Sequence, residues 1–261
     1  MCVSERVKYL SKGIGAEFMG KTQLRHLEES DQEKGLPQPP LELGYDESKT
    51  VIDLPVPADI HVEATDLRKA IENRQSVRNY SEQPLTLDEL SFLLWCTQGV
   101  KKVIDKLVTI RMTSTLRTVP SGGARHAFET YLLVNQVQGL HPGLYRFLAI
   151  KHKLVVVSLD PSLADKITEA CLRQRHLKTS AVAFIWTAVP YRMTWRYGER
   201  GYRYLLIDIG CVCQNLYLAA EAIGSGVCAI GAFNDEDINN LLGIDGKEHF
   251  VIHIAVVGKK K

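Results

Sequence analysis

Several common signatures are missing from this 261-residue sequence. It opens MCVSERVKYL, without the apolar core of a secretory leader, and no stretch approaches the roughly 18 to 20 apolar residues of a membrane span. The six cysteines, Cys2, Cys96, Cys171, Cys211, Cys213 and Cys228, form no CxxC pair. Scattered thiols in a chain without a leader predict reduced cysteines, a cytoplasmic location and no membrane. Cys211 and Cys213 stand two apart on an expected helix, point to different faces, and make a poor metal pair. The sequence has no GxSxG, HExxH, P-loop or kinase motif, which removes those chemistries from consideration. Charge bias is missing too. With 32 basic and 30 acidic residues the net charge is +2, giving no electrostatic reason to expect a nucleic-acid partner.

What remains is an ordinary globular composition, 45% hydrophobic, enough for one large core or two modest ones. Residues 1–60 differ from the rest. ESDQEKGLPQPP and LPVPADI combine charge, Gly and Pro, and predict an extended arm with one short helix near residues 21–29. That arm is either a free tail or a strap packed on the body through Val51, Ile52, Leu54 and Val56. Residues 61–261 form the main domain. A helix is expected over 65–73, begun by Thr65 or Asp66, and a second follows the capping box Thr86-Leu-Asp-Glu89. FETYLLVNQV reads as a strand, residues 143–158 as a hairpin, and 162–173 as a helix. AVAFIWTAV, ending at Pro190, suits a strand buried on both faces. The longest helix is expected over 201–223, apolar nearly all round and therefore in a core or an obligate interface. A strand near Val227, a helix over 236–242 and the strand FVIHIAVV close the chain. Helices and strands interleave without strict βαβ alternation, which favours α+β.

Four segments carry possible chemistry. Arg74, Ser76 and Arg78 alternate, so an extended backbone sets two guanidinium groups and a hydroxyl on one face, suited to a phosphate or a carbonyl-rich ring. Pro120, Ser121, Gly122 and Gly123 open the run PSGGARH, which is either a plain turn or a loop whose exposed N–H groups approach a flat heterocycle. GSGVCA, 224–229, matches GxGxxA formally but follows a helix and precedes a strand, the wrong order for a dinucleotide fingerprint. After it, Ala229, Ile230, Gly231 and Ala232 offer a backbone wall for a ring. Lys259 and Lys260 end the chain as either a solvated tail or a second cationic arm. His249 and His253 stand where they can share a strand face, but no third ligand accompanies them, so no metal site is expected.

In order, SVRNYSEQPLTLDELSFLLW, PSGGARH, GLYRF, RYGERGYRYLLIDIG, QNLYLAAEAIG and GAFND resemble the nitroreductase family, and more narrowly its SagB-type dehydrogenase branch, over residues 68–258. The resemblance implies an α+β fold with a mixed or antiparallel sheet flanked by helices, in an interlocked homodimer with FMN at the interface. It implies that Arg74, Ser76 and Arg78 hold the flavin's phosphate and pyrimidine edge. The PSGGA loop, commonly from the partner subunit, would lie near N5, and Lys259 or Lys260 would be a terminal phosphate ligand. NADH or NADPH would be the reductant, and a small quinone, nitro or enone-like molecule the acceptor. Azoline-forming oxidases of that branch use a Lys-Tyr pair where this chain has Arg196-Tyr197, and arginine is no base near neutral pH. Three readings therefore stand: a flavin reductase with Tyr197 and Arg196 at the acceptor, an azoline peptide oxidase, and a flavin-binding protein without turnover. Tyr197 in this setting is either a proton donor or an anchored hydroxyl at a subunit contact.

Overall fold

The computed structural model describes residues 13–107 and 112–261; Cys2 lies outside them. A seven-stranded sheet of wholly antiparallel pairs, ordered β1-β6-β5-β4-β7-β9-β8, forms the centre. The strands are β1 (Val51–Asp53), β4 (Phe128–Val134), β5 (Gly143–Leu148), β6 (Lys153–Ser158), β7 (Val182–Ala188), β8 (Ser225–Ile230) and β9 (Phe250–Lys259). A separate hairpin joins β2 (Val100–Leu107) to β3 (Met112–Arg117). Around these lie α1 (Ile14–Lys21), α2 (Leu67–Asn73), α3 (Leu87–Gln98), α4 (Leu163–Ala170), α5 (His176–Thr179), α6 (Tyr191–Tyr197), α7 (Gly201–Ala222) and α8 (Asp235–Leu242).

Local chemistry accounts for most of these boundaries. Asp66 accepts the Lys69 amide at 2.9 Å to begin α2, and the Thr86–Glu89 capping box closes reciprocally at 3.1 and 2.9 Å to begin α3. Every residue of β7 is buried, as its apolar run predicts. Phe184 and Trp186 enter the core shared with α3 and α7, while Ala183 and Ile185 enter the core shared with α4 and α8. The sheet therefore separates two apolar layers.

Two elements depart from expectation. Residues 191–197, between the strand expected to end at Pro190 and the helix expected from 201, form α6, with Arg192, Met193 and Trp195 buried, until Gly198 at φ 50° ends it. The β2–β3 hairpin carries too many charges to declare itself. A register shift between Trp186 and Thr187 also separates the two histidines. His253 stacks on Trp186, and His249 meets Thr187 Oγ1 at 2.6 Å and the Tyr131 ring, in the other layer. Among the described residues no three His, Cys, Asp or Glu side chains gather as a metal group.

The arm is a strap. Its short helix is α1, upstream of the expected place, followed by a 3-10 turn at Leu24–His26. β1 pairs antiparallel with β6 at the sheet edge. Between them, Gln32 N donates to Trp195 O, Trp195 Nε1 to Leu36 O, Arg192 Nε to Pro40 O, and Leu43 N to Glu129 Oε1. Arg192 and Glu129 form an ion pair at 2.5 Å with both side chains at 3% exposure or less. Taken with α6 as one helical run, α7 includes an 18-residue window long and apolar enough to cross a membrane, but half of that window is buried inside the protein.

Candidate functional site

The Arg74–Arg78 segment leaves α2 extended and lies along edge strand β8 through a parallel Ser76–Val227 bridge, with Val77 N donating to Val227 O at 2.9 Å. Close approach is what the glycines permit. A Cβ on Gly226 would sit 2.7 Å from Val77 Cβ, and one on its strand partner Gly258 would sit 2.8 Å from the Tyr80 ring. Gly226 thus serves this packing, in agreement with the rejection of a dinucleotide fingerprint.

Tyr217, from the C-terminal half of α7, organises this end. Its hydroxyl is 3.1 Å from Ser76 Oγ and accepts from Ala229 N at 3.0 Å, while the Arg74 guanidinium lies 5.2 Å over its ring. Sequence reasoning missed Tyr217; its signal was one aromatic hydroxyl in the otherwise apolar run NLYLAA. Burial raises the Cys228 thiol and Arg78 partly offsets that, while burial and the same guanidinium lower His176. Arg74 and Ser76 thus both meet Tyr217, while the charge of Arg78 is felt by Cys228 and His176. Ile230 is buried at the end of β8, Gly231 and Ala232 are exposed, and Ala232 O accepts from Gln174. Neither terminal amine is a free arm. Lys259 Nζ pairs with Glu89 and donates to Ile223 O, and Lys260 Nζ pairs with Glu221 at 2.6 Å.

PSGGARH forms a 3-10 turn, Gly122–Ala124, at the other end of α7. Gly123, Ala124 and His126 all take positive φ, between 44° and 57°. Asp208, the lone acid in the apolar run LLIDIG, anchors the turn by accepting Gly122 N at 3.1 Å and the Ser121 hydroxyl. Burial raises its carboxyl, and those two hydrogen bonds partly offset the rise. Ala124, Arg125 and His126 spend their amides on Ser121 O, Gly122 O and Ser121 Oγ. The loop's exposed N–H supply is therefore smaller than its composition suggests. Among the described residues, Gly123 N–H alone within 122–126 has no protein acceptor, and Gly123 is exposed.

Tyr197 caps this glycine. A Cβ on Gly123 would fall well inside van der Waals contact of the Tyr197 hydroxyl. The Tyr197 ring stands edge-on to Tyr204 at 4.8 Å, and Arg196 lies 5.4 Å over Tyr197 while its Nη1 reaches Met112 Sδ. Arg196 and Tyr197 also line a cavity of about 520 Å³ whose other wall is the arm, with Leu27, Glu28, Glu29 and Glu33. Tyr204 and Tyr217 are thirteen residues apart on α7, about 20 Å along its axis. One chain thus places these two clusters at opposite ends of one helix. Between them Leu206 and Ile207 are 58% and 59% exposed.

The family model described as the Nitroreductase family matches residues 71–259. A candidate nitroreductase of Methanocaldococcus jannaschii is 33% identical over 199 residues, 76% of this chain and 93% of that protein. The trifolitoxin-processing protein of Rhizobium leguminosarum bv. trifolii is 29% identical over 182 residues, 65% of this chain and 47% of its own length. A candidate nitroreductase structure from Anabaena variabilis has a TM-score of 0.66 at 27% identity, covering 82% of this chain and 42% of that one. This chain spans less than half the length of the last two. A Desulfovibrio desulfuricans structure solved with FMN shares the fold, with a TM-score of 0.52 at 13% identity over 76% of this chain and 88% of that one.

The contact between Gly123 and Tyr197 is testable by stability alone. Gly123→Ala, with its added Cβ and left-handed backbone, should destabilise by about 1 to 3 kcal/mol in urea unfolding. Tyr197→Phe should recover part of that loss, a coupling of about 0.5 kcal/mol or more; strict additivity would place the hydroxyl elsewhere.

Proposed function

The chain belongs to the nitroreductase family, and on that footing we propose that it is an FMN-dependent oxidoreductase, active as a homodimer whose flavin sites each combine half-sites from two chains. The observation that carries this reading is the 20 Å separation on α7: the Tyr217 hub and the Gly123–Tyr197 pair are too far apart within one chain to touch one isoalloxazine ring. A second copy brings the other half-site, and the exposed Leu206 and Ile207 between the two ends supply apolar surface to bury.

The residues of the first half-site fit a flavin mononucleotide. Arg74 and Arg78 have no carboxylate partner among the described residues, unlike Lys259 and Lys260, so each is available to a phosphate or a pyrimidine oxygen. The Ser76 hydroxyl is held by Tyr217 beside them. Lys259 and Lys260 neutralise Glu89 and Glu221 at the same end of α7, which keeps the local field from opposing an anion. The backbone of Ala229, Ile230, Gly231 and Ala232 continues the wall. When bound, FMN supplies hydride storage between NADH or NADPH and an acceptor.

At the second half-site the Gly123 N–H and the neighbouring Tyr197 hydroxyl would serve as donors to the oxygen of a quinone, nitro group or enone as it gains negative charge. Arg196 adds positive charge behind Tyr197. A cytoplasmic setting suits the unpaired thiols of Cys96, Cys171, Cys211, Cys213 and Cys228. The 29% identity to a trifolitoxin-processing protein supports a second reading, azoline oxidation on a peptide. Against it stands Arg196, which does not take up a proton near neutral pH.

Three measurements test the reading. Wild-type protein purified with flavin should release FMN, and Arg74→Ala/Arg78→Ala should be colourless; stoichiometric flavin in that variant would remove both arginines from the site. Light scattering at low micromolar concentration should report about twice the 29.3 kDa chain mass, and a flavin-loaded monomer would contradict the shared site. Tyr197→Phe should keep FMN but slow quinone or enone reduction by about 10-fold or more. Loss of flavin from that variant would make the tyrosine structural.

A further inference from the structure

β8 is an edge strand, so one row of its backbone groups faces away from β9 and needs other partners. The Arg74–Arg78 segment takes one of them, Val227 O, through the Val77 amide. Two residues on, the Ala229 amide is met by a side chain, donating to the Tyr217 hydroxyl at 3.0 Å. The directions in this network follow one from another. An amide N–H can only donate, so the phenolic oxygen accepts at Ala229. The phenol is buried, and its own proton has one partner among the described residues, Ser76 Oγ at 3.1 Å. Ser76 Oγ accepts that proton and keeps its own, which no protein group takes up among the described residues. Ser76 is exposed, so a ligand can reach the hydroxyl that Tyr217 holds from behind.

We infer that Tyr217 is the positioning residue of this site: its hydroxyl, oriented by the Ala229 amide, makes Ser76 a hydrogen-bond donor to an acceptor oxygen of the ligand, and its ring holds Arg74 beside that donor. The hydrogen bonds run one way, from Ala229 N–H through Tyr217 and Ser76 to the ligand, and each polarises the next. The Arg74 guanidinium, 5.2 Å over the same ring, adds further donors and positive charge. A face made of donors selects an oxygen that carries no proton, such as a phosphate oxygen or a ring carbonyl, and disfavours an N–H or O–H edge that would itself need an acceptor. A phenylalanine at this position would keep the ring under Arg74 but leave the Ala229 amide without its acceptor and the Ser76 hydroxyl free to turn. This inference rests on the flavin half-site proposed above and assigns the polarity of its ligand contact.

The test titrates FMN and riboflavin, followed by flavin fluorescence, into full-length protein freed of its flavin. Ser76→Ala should weaken FMN about 10-fold or more, the loss of a hydrogen bond to a charged or polarised oxygen. Tyr217→Phe should weaken it about 3-fold or more, and should add nothing in the Ser76→Ala background. Tyr217→Leu, which also takes the ring from Arg74, should weaken FMN further in either background. An effect of Tyr217→Phe that is equal in both backgrounds, or absent from both, overturns the inference. Riboflavin, which has no phosphate, identifies the oxygen: Ser76→Ala acting on FMN alone supports a donor at the phosphate, and acting on both flavins supports one at the ring. A readout without ligand is hydrogen exchange over Ser225–Ile230, which Tyr217→Phe should speed at Ala229; unchanged exchange there also overturns the inference. Wild type that binds neither flavin sinks the flavin reading alone. Inorganic phosphate, followed by thermal shift, then carries the same Ser76 and Tyr217 cycle, and phosphate binding indifferent to both residues overturns the inference as well.

Discussion

Inside the protein Arg192 of α6 meets Glu129 of β4, and each side chain also holds the arm, Arg192 through Pro40 O and Glu129 through the Leu43 amide. Each charge is met by the other and by one backbone hydrogen bond, while Arg192 Nη1 has no partner among the described residues, and breaking such a buried pair typically costs about 3 to 5 kcal/mol. The Arg196–Tyr197 end of α6 and its surroundings hang from this junction. α6 carries Arg196 and Tyr197, its carbonyl at Arg192 receives Arg125, and the strap it anchors walls the neighbouring cavity. Residues 191–197, for which the sequence carries no clear element signal, are thus a structural keystone.

α7 sets the second constraint. Its buried face packs on the sheet and on α3, where Asn215 donates to Cys96 O, and it delivers Asp208 to one half-site and Tyr217 to the other. The length of the helix fixes the distance between these two ends, the separation on which the proposed two-chain site rests.

Much of this was legible in the residues. Periodicity and caps gave α2, α3, α7 and the buried strand β7, because each rests on local pattern. The Rossmann alternative fell on element order alone. What stayed hidden depends on tertiary partners. α6 has no strong local signal, since Arg192 becomes a core residue only once Glu129 lies opposite. Tyr217 and Asp208 act through hydroxyl and carboxylate contacts to segments 141 and 86 residues away. Lys259 and Lys260 could be read as a solvated tail or a cationic arm because Glu89 and Glu221, their partners, are distant in sequence. The alternation of Arg74, Ser76 and Arg78 gave an extended ribbon, as found, but its place along β8 depends on a strand about 150 residues away in sequence.

The turn at Gly122–Ala124 has one more consequence. Three of its residues and their neighbours, Gly123, Ala124 and His126, sit in the left-handed region, two of them at a steric cost that glycine would escape. Asp208, Ser121 and Ser114, whose hydroxyl reaches Ala124 O, hold the loop there. Folding has already exacted the loop's conformational entropy. A molecule that docks against Gly123 orders nothing further in the backbone, so the full strength of each new hydrogen bond is left for recognition.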